Sequence, residues 1–266
     1  MIPDIGLGTY RLKGQDAIDA VTTALELGYR HIDTAQVYGN EAEVGRAIAD
    51  SHVPRDEIFL TTKIWTDCFR HDDLIQSLKE SLERLGTDHV DLVLLHWPSP
   101  DNEVPVAESI RALVQVKAQG LTRQIGISNF TMAQVDDALD VEGGDQLITN
   151  QIEVHPFLAN QALVKHCQDK GLRVTGYMPL AVGKVMEDET LKQIAQRHDV
   201  TPAQVALAWV AARDIVVIPS STKRAHQQSN LDAMTLSLSD DEIERVNALD
   251  RGERIANPSF APVWDE

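Results

Sequence analysis

The stretch Val90-Asp91-Leu92-Val93-Leu94-Leu95-His96 decides the fold. It is a short, strongly apolar run that closes on a polar residue, the pattern of a strand buried on both faces. Outward from it in both directions, similar runs recur at Ile5–Thr9, His31–Ala35, Ile58–Lys63, Arg123–Ser128, Leu147–Val154, Arg173–Tyr177 and Ile215–Pro219. None is joined to the next by a tight hairpin turn. Helix-like stretches lie between them, with apolar spacing of three and four, as in Leu74, Leu78, Leu82 and Leu85, closed by Gly86. Several helix starts are written into the chain. Thr201-Pro202-Ala203-Gln204 combines a Thr cap, a Pro at the first helical position and a Gln able to reach back, and Thr131–Gln134 and Ser239–Glu242 repeat the capping box. Strands alternating with helices call for a parallel sheet. About eight such units in 266 residues favour a closed (β/α)8 TIM barrel with outer helices over an open doubly wound sheet.

No Pro/Gly/Ser-rich linker divides the chain, so one domain over residues 1–266 is expected, with an irregular tail from about residue 252 that carries Asn257–Trp264 over the surface. Net charge is −17, with a pI near 4.8. So acidic a surface repels phosphate backbones and anionic membranes, which argues against nucleic-acid or lipid partners. It also requires any nucleotide site to supply its own local positive charge. Cys68 and Cys167 are far apart and match no metal-ligand spacing, which suits a reducing compartment. Met1-Ile2-Pro3-Asp4 has no basic n-region and no apolar run approaches ~20 residues, so a cytoplasmic protein is expected. With no long apolar surface stripe evident, a monomer is the expectation.

Barrel active sites lie at the C-terminal ends of the strands. In order, those ends carry Asp33, with Tyr38 in the following loop, then Lys63, His96-Trp97, Ser128-Asn129, Gln151, Tyr177 and Ser220-Ser221-Thr222-Lys223-Arg224. The blocks Gly28-Tyr29-Arg30-His31-Ile32-Asp33-Thr34-Ala35, Tyr38-Gly39-Asn40-Glu41 and Val44-Gly45 resemble the signature of the aldo-keto reductase family. Asp91 to Pro98, Gly126-Ile127-Ser128-Asn129-Phe130 and Gln151-Ile152-Glu153-Val154-His155-Pro156 match further blocks of that family, in order. The resemblance runs from about Ile5 to Leu231 and is nearest to the bacterial 2,5-diketo-D-gluconic acid reductases of the short B type. It implies NADPH-dependent reduction of small aldehydes and ketones, with 2,5-diketo-D-gluconate and methylglyoxal among the substrates to consider. The family's N-terminal hairpin is here shortened to Met1–Asp4.

The residues make chemical sense in those roles. Carbonyl reduction needs a hydride donor and a proton donor at the developing alkoxide. A phenol with a pKa near ~10 is a poor acid at neutral pH. An ammonium at ~4 Å favours its ionisation by up to ~4 kcal/mol at an effective dielectric of ~20, or roughly three pKa units before desolvation opposes it. Tyr38 is accordingly expected as general acid, Lys63 as its tuner, Asp33 as the partner of Lys63, and His96 as the donor that orients the substrate carbonyl.

A Rossmann fingerprint is missing: Gly6-Leu7-Gly8 is followed by Arg11 and opens no suitable βαβ unit. The resemblance instead implies an extended nucleotide across the barrel mouth. Ser128, Asn129 and Gln151 match positions that hold the nicotinamide carboxamide, Tyr177 matches the aromatic that stacks on its ring, and Gly8, Thr9 and Leu180 also fall on cofactor-binding positions. For the 2′-phosphate the family often reads Ile-Pro-Lys-Ser and a later Arg. Here Ile218-Pro219 is followed by Ser220-Ser221, and His226 takes the Arg position. Lys223-Arg224, with Thr222, supplies the positive cluster at a helix start, and NADPH is therefore expected over NADH. Asn230 matches a position that contacts adenine, although Ser229 replaces the usual Glu beside it. Tyr10, Trp65, Trp97 and Trp264, with Val37 and Met178, are expected to line the substrate pocket. Two other readings stay open: a metal-dependent barrel hydrolase using His31, Asp33, His96 and His155, and a non-catalytic NADPH-binding redox sensor.

Overall fold

The computed structural model describes residues 1–265. Eight parallel strands form one sheet in chain order: β1 (Leu7–Gly8), β2 (His31–Asp33), β3 (Phe59–Ile64), β4 (Val90–Leu95), β5 (Thr122–Ser128), β6 (Leu147–Glu153), β7 (Arg173–Tyr177) and β8 (Val216–Val217). Helices α1 (Gly14–Leu27), α2 (Glu41–Ala49), α3 (His71–Leu85), α4 (Val106–Ala118), α5 (Met132–Leu139) and α6 (Gln161–Asp169) follow the first six strands in turn. Two helices, α7 (Glu189–His198) and α8 (Pro202–Ala211), separate β7 from β8, and α9 (Arg224–Asp232) and α10 (Asp240–Asn247) close the chain's regular structure. The arrangement is that of a (β/α)8 fold. The three capping boxes form as expected, at the starts of α5, α8 and α10.

The strands bury two different faces, as their period of two requires. Val93 and Leu95 join the large core between sheet and helices, while Leu92 and Leu94 join a small separate cluster with Ile2, Val216, Phe59 and Ile148. The second residue of the chain thus packs among strand side chains. The outer strands are shorter than their apolar runs. Pro219 has no N–H to extend the β8 ladder, but the chain start still pairs alongside: Val217 N donates to Asp4 O at 2.9 Å, Gly6 N to Val217 O at 2.8 Å, and Gly8 N to Pro219 O at 3.0 Å.

One close approach fixes how the first helices stack. Gly86 ends α3 in the left-handed conformation at φ 64°, and Gly45 of α2 lies so near that end that an added Cβ would stand 2.3 Å from Leu85 O. The contact holds α2, and with it the loop carrying Tyr38, against α3. Gly45→Ala should therefore be overpacked against backbone, lowering the thermal midpoint by about 2–10 °C. An unchanged melting curve would mean that α2 can move away from α3 freely.

Candidate active site

Asp33 ends β2 and pairs in register with Thr61 of β3, so Lys63, two residues further on, projects from the same face just above it. Both side chains are buried. Lys63 Nζ donates to Asp33 Oδ1 at 2.5 Å and to Thr34 O at 2.9 Å, and lies 3.3 Å from Tyr38 Oη. The other carboxylate oxygen, Asp33 Oδ2, accepts from Gln151 Nε2 at 2.9 Å. Asp33's charge is therefore shared between an ammonium and an amide.

Tyr38 ends a 3-10 turn, Gln36–Tyr38, that several contacts hold in place. Gln36 Oε1 accepts from Trp65 N at 3.0 Å and its amide donates to Ser77 O and Ser81 Oγ. Lys13 Nζ donates to Tyr38 O. Asn40 donates to Thr9 O and Leu12 O and accepts from Thr34 Oγ1, while Thr9 gives both its N–H and its hydroxyl to Asp33 O. Buried Glu41 accepts from Thr62 Oγ1 and from Arg84 Nε. The Tyr38 ring then lies 5.1 Å from Tyr10 and 5.6 Å, edge-on, from His96.

Burial sets the electrostatics of these groups. It holds the Tyr38 phenol well above its ordinary value, helped by the charge of Asp33. That direction is opposite to the expected one, because desolvation outweighs an ammonium whose field Asp33 largely cancels. Burial pulls Lys63 down, while Asp33 and then Glu41 push it back. His96 is held well below its usual value by burial and by the charge of Lys63, so its ring is neutral at pH 7. Its buried Nδ1 has no hydrogen-bond partner among the described residues.

The remaining expected residues fall into groups. Ser128, Asn129, Gln151 and Tyr177 come together: Ser128 Oγ donates to Gln151 O, Asn129 Nδ2 donates to His96 O and Ser128 Oγ, and Tyr177 Oη donates to Asn129 Oδ1 at 2.7 Å. Asn129 holds this position with a left-handed backbone, φ 64°. Gly8 leaves no room for a Cβ, which would stand 2.8 Å from Ile218 O, and Leu180 is half-buried against the core. Ser220, Thr222, Lys223 and Arg224 are exposed, Ser221 half-exposed, at the exit of β8. Arg224 is paired with exposed Glu26 at 2.6 Å. Asn230 lies buried on α9, and one turn before it Gln227 O accepts from Tyr29 Oη at 3.0 Å.

Tyr10 and Val37 are exposed, and Trp65 and Trp97 face a residue not among those expected to line the pocket. Phe260, in the tail, meets Trp65 edge-on at 5.7 Å and Trp97 at 5.5 Å, and Trp264 stands 6.0 Å from Trp97. An aromatic between Pro258 and Pro262 in the irregular tail is the one sequence signal for it. His31 and His155 are engaged elsewhere, with Thr61 and Glu153 respectively. Among the described residues no group of three or more His, Cys, Asp or Glu is arranged to hold a metal ion.

The profile of the Aldo/keto reductase family matches residues 4–251. Methylglyoxal reductase DkgB of Escherichia coli O157:H7 is 52% identical over 265 residues, covering 99% of each chain. Glyoxal reductase of Bacillus subtilis (strain 168) is 35% identical and covers 97% of this chain and 92% of its own. The crystal structure of a proposed 2,5-diketo-D-gluconic acid reductase B superposes with a TM-score of 0.94 at 44% identity, covering 100% of this chain and 94% of that one.

The buried imidazoles carry a consequence for stability. Burial lowers His31 from 6.5 to about 4 in the folded chain, so between those values the unfolded chain binds a proton that the folded one refuses. Stability should be intact above pH 6.5 and fall by on the order of 3 kcal/mol as pH drops through 4, with His96 adding in the same direction. Thermal melts of wild type and His31→Asn across this range test the point: the variant should lose much of the slope, and identical slopes would remove His31 from the account.

Proposed function

The chain belongs to the aldo/keto reductase family, and from that premise we propose that it reduces small aldehydes and ketones to alcohols with NADPH, methylglyoxal and 2,5-diketo-D-gluconate being the first candidates. One observation carries this reading: the buried Asp33–Lys63 pair ends 3.3 Å from the hydroxyl of Tyr38, beside the neutral ring of His96. Bound NADPH supplies the hydride to the carbonyl carbon. Tyr38 gives its proton to the carbonyl oxygen. Because burial keeps the phenol protonated through neutral pH, the acid is loaded before substrate arrives. Lys63 then favours the phenolate left behind, in a site where few waters compete and charge interactions are strong. Asp33 holds Lys63 aimed, and His96 donates one ring N–H to the carbonyl oxygen, orienting it.

The residues present fit the cofactor. Ser128, Asn129 and Gln151 offer hydroxyl and amide groups at adjacent strand ends, the mixed donors and acceptors that a carboxamide needs, and the half-buried ring of Tyr177 is anchored through its hydroxyl beside them. Gly8 and half-buried Leu180 are assigned to the cofactor's path, and buried Thr9 supports it by holding Asp33 O. Lys223 and Arg224, with Ser220, Ser221 and Thr222, stand at the start of α9, where free N–H groups also favour an anion. The exposed Arg224–Glu26 pair contributes about 0–1 kcal/mol, little enough for a 2′-phosphate to displace it. Asn230, buried on α9, acts indirectly, through the packing of that helix. Trp65, Trp97, Trp264 and Phe260 form one aromatic cluster and Tyr10 lies against Tyr38, and we assign these rings to the wall of a pocket for small carbonyl compounds.

We further infer one barrel domain closed between β8 and the chain start, a reading supported by the Asp4–Gly8 hydrogen bonds, with Ile2 filling the floor that the family's longer hairpin would plug. A monomer with both thiols free is taken to work in the cytoplasm.

NADPH consumption with methylglyoxal, 2,5-diketo-D-gluconate and 4-nitrobenzaldehyde tests the reading. Tyr38→Phe keeps the ring and removes the acid, and kcat should fall by about 10²–10⁴-fold. Equal rates in both proteins would overturn the assignment of Tyr38, and cofactor binding without turnover of any carbonyl would favour the sensor reading. For the cofactor, Lys223→Ala with Arg224→Ala should raise KM for NADPH by about 10–100-fold and leave KM for NADH nearly unchanged. Equal effects on the two cofactors would place the 2′-phosphate elsewhere.

A further inference from the structure

Glu153 has no part in the chemistry above, yet it is a wholly buried carboxylate at the end of β6, two residues beyond Gln151. Its Oε1 accepts from His155 Nε2 at 2.9 Å and from Ile255 N at 2.8 Å, and its Oε2 accepts from Ala256 N at 2.7 Å. Two of the three donors are backbone N–H groups of the irregular tail, which belong to no helix or strand. A carboxylate can only accept, and three N–H donors converging on its two oxygens satisfy both the charge and the otherwise orphaned tail amides.

The same loop grips the tail at further points. Asn160 Nδ2 donates to Glu153 O at 2.6 Å, and Asn160 Oδ1 accepts from Arg254 Nη2 at 3.0 Å. Phe157 O accepts from Glu253 N at 2.9 Å. The Arg254 guanidinium lies 3.7 Å from the centre of the Trp264 ring. Four residues beyond Ala256 the chain delivers Phe260 between Trp65 and Trp97, across the mouth from β6. The far end is tied by Asp265 Oδ2, which accepts from Met132 N at the start of α5.

We propose that Glu153 is a positioning residue for substrate selection: its buried carboxylate clamps the backbone at Ile255 and Ala256 and so holds Phe260 as the outer wall of the carbonyl pocket. The clamp acts on the larger substrates, whose bodies reach Phe260, and not on proton transfer at Tyr38. The kinetic side of this rests on the reductase reading; the structural side, the fixing of the tail, does not.

Glu153→Gln turns an N–H donor toward a tail N–H and breaks one arm of the clamp. Hydrogen exchange in the intact protein should then rise by about tenfold or more in residues 251–265, with the strands unchanged. KM for 4-nitrobenzaldehyde should rise by about tenfold, while kcat for that substrate and KM for methylglyoxal stay within about twofold. Phe260→Ala should raise the same KM, and Glu153→Gln added to it should raise it no further, since both act through one ring. Unchanged exchange in residues 251–265 overturns the clamp. Loosened exchange with equal losses for large and small substrates, or additive effects in the double variant, overturns its role in selection. Should wild type reduce no carbonyl, the exchange measurement alone decides the clamp while the reductase reading fails separately. If Glu153→Gln does not fold, Ala256→Pro removes one donor from the tail side, leaves Glu153 intact and must reproduce the local exchange.

Discussion

Lys63 carries an ammonium into the interior of the sheet, and the architecture around it follows from that. A buried charge is tolerated only when it is paired and its remaining donors are satisfied. Asp33 supplies the opposite charge, Thr34 O a second acceptor and the Tyr38 hydroxyl a third contact. Asp33 in turn needs its second oxygen filled, and Gln151 fills it from the opposite side of the sheet. Removing either charge would leave the other buried alone, so the pair can be changed only as a unit. Its effect is to set the Tyr38 hydroxyl 3.3 Å from a buried ammonium.

That placement depends on a chain of neutral contacts as much as on charge. Asn40 ties the β1 and β2 loops together, Gln36 fastens the turn to β3 and α3, and Glu41 spans from Thr62 to Arg84. All three flank Tyr38 in sequence. Residues next to Tyr38 thus build its support, while the ammonium and imidazole beside it come from the ends of β3 and β4.

Much of this is legible in the chain because it is local. Apolar runs that end in polar residues locate the strands and put Asp33, Lys63, His96, Ser128 and Gln151 at one end of the sheet, and the capping boxes mark three helix starts. What escapes is set by tertiary distance. The upward shift of Tyr38 depends on how completely the fold removes water, which no spacing of residues encodes. Arg224 reads as a free cation until α1 brings Glu26 beside it. Phe260 lies in a segment with no periodicity, and its neighbours Trp65 and Trp97 are more than a hundred and fifty residues away in sequence.

The two chain ends sit on opposite sides of the molecule. Ile2 packs among the inward side chains of the sheet floor, with Met1 fully exposed just beyond it, whereas the tail crosses the mouth and is tied through Asp265. For anyone attaching this protein to a surface, a carrier or a fusion partner, the ends are therefore not equivalent. A linker on Met1 leaves beside Ile2, from the end of the sheet away from Phe260. A linker at the other end would load the strap that Glu153 holds, and mechanical tension there would reach the contacts of Phe260 with Trp65 and Trp97.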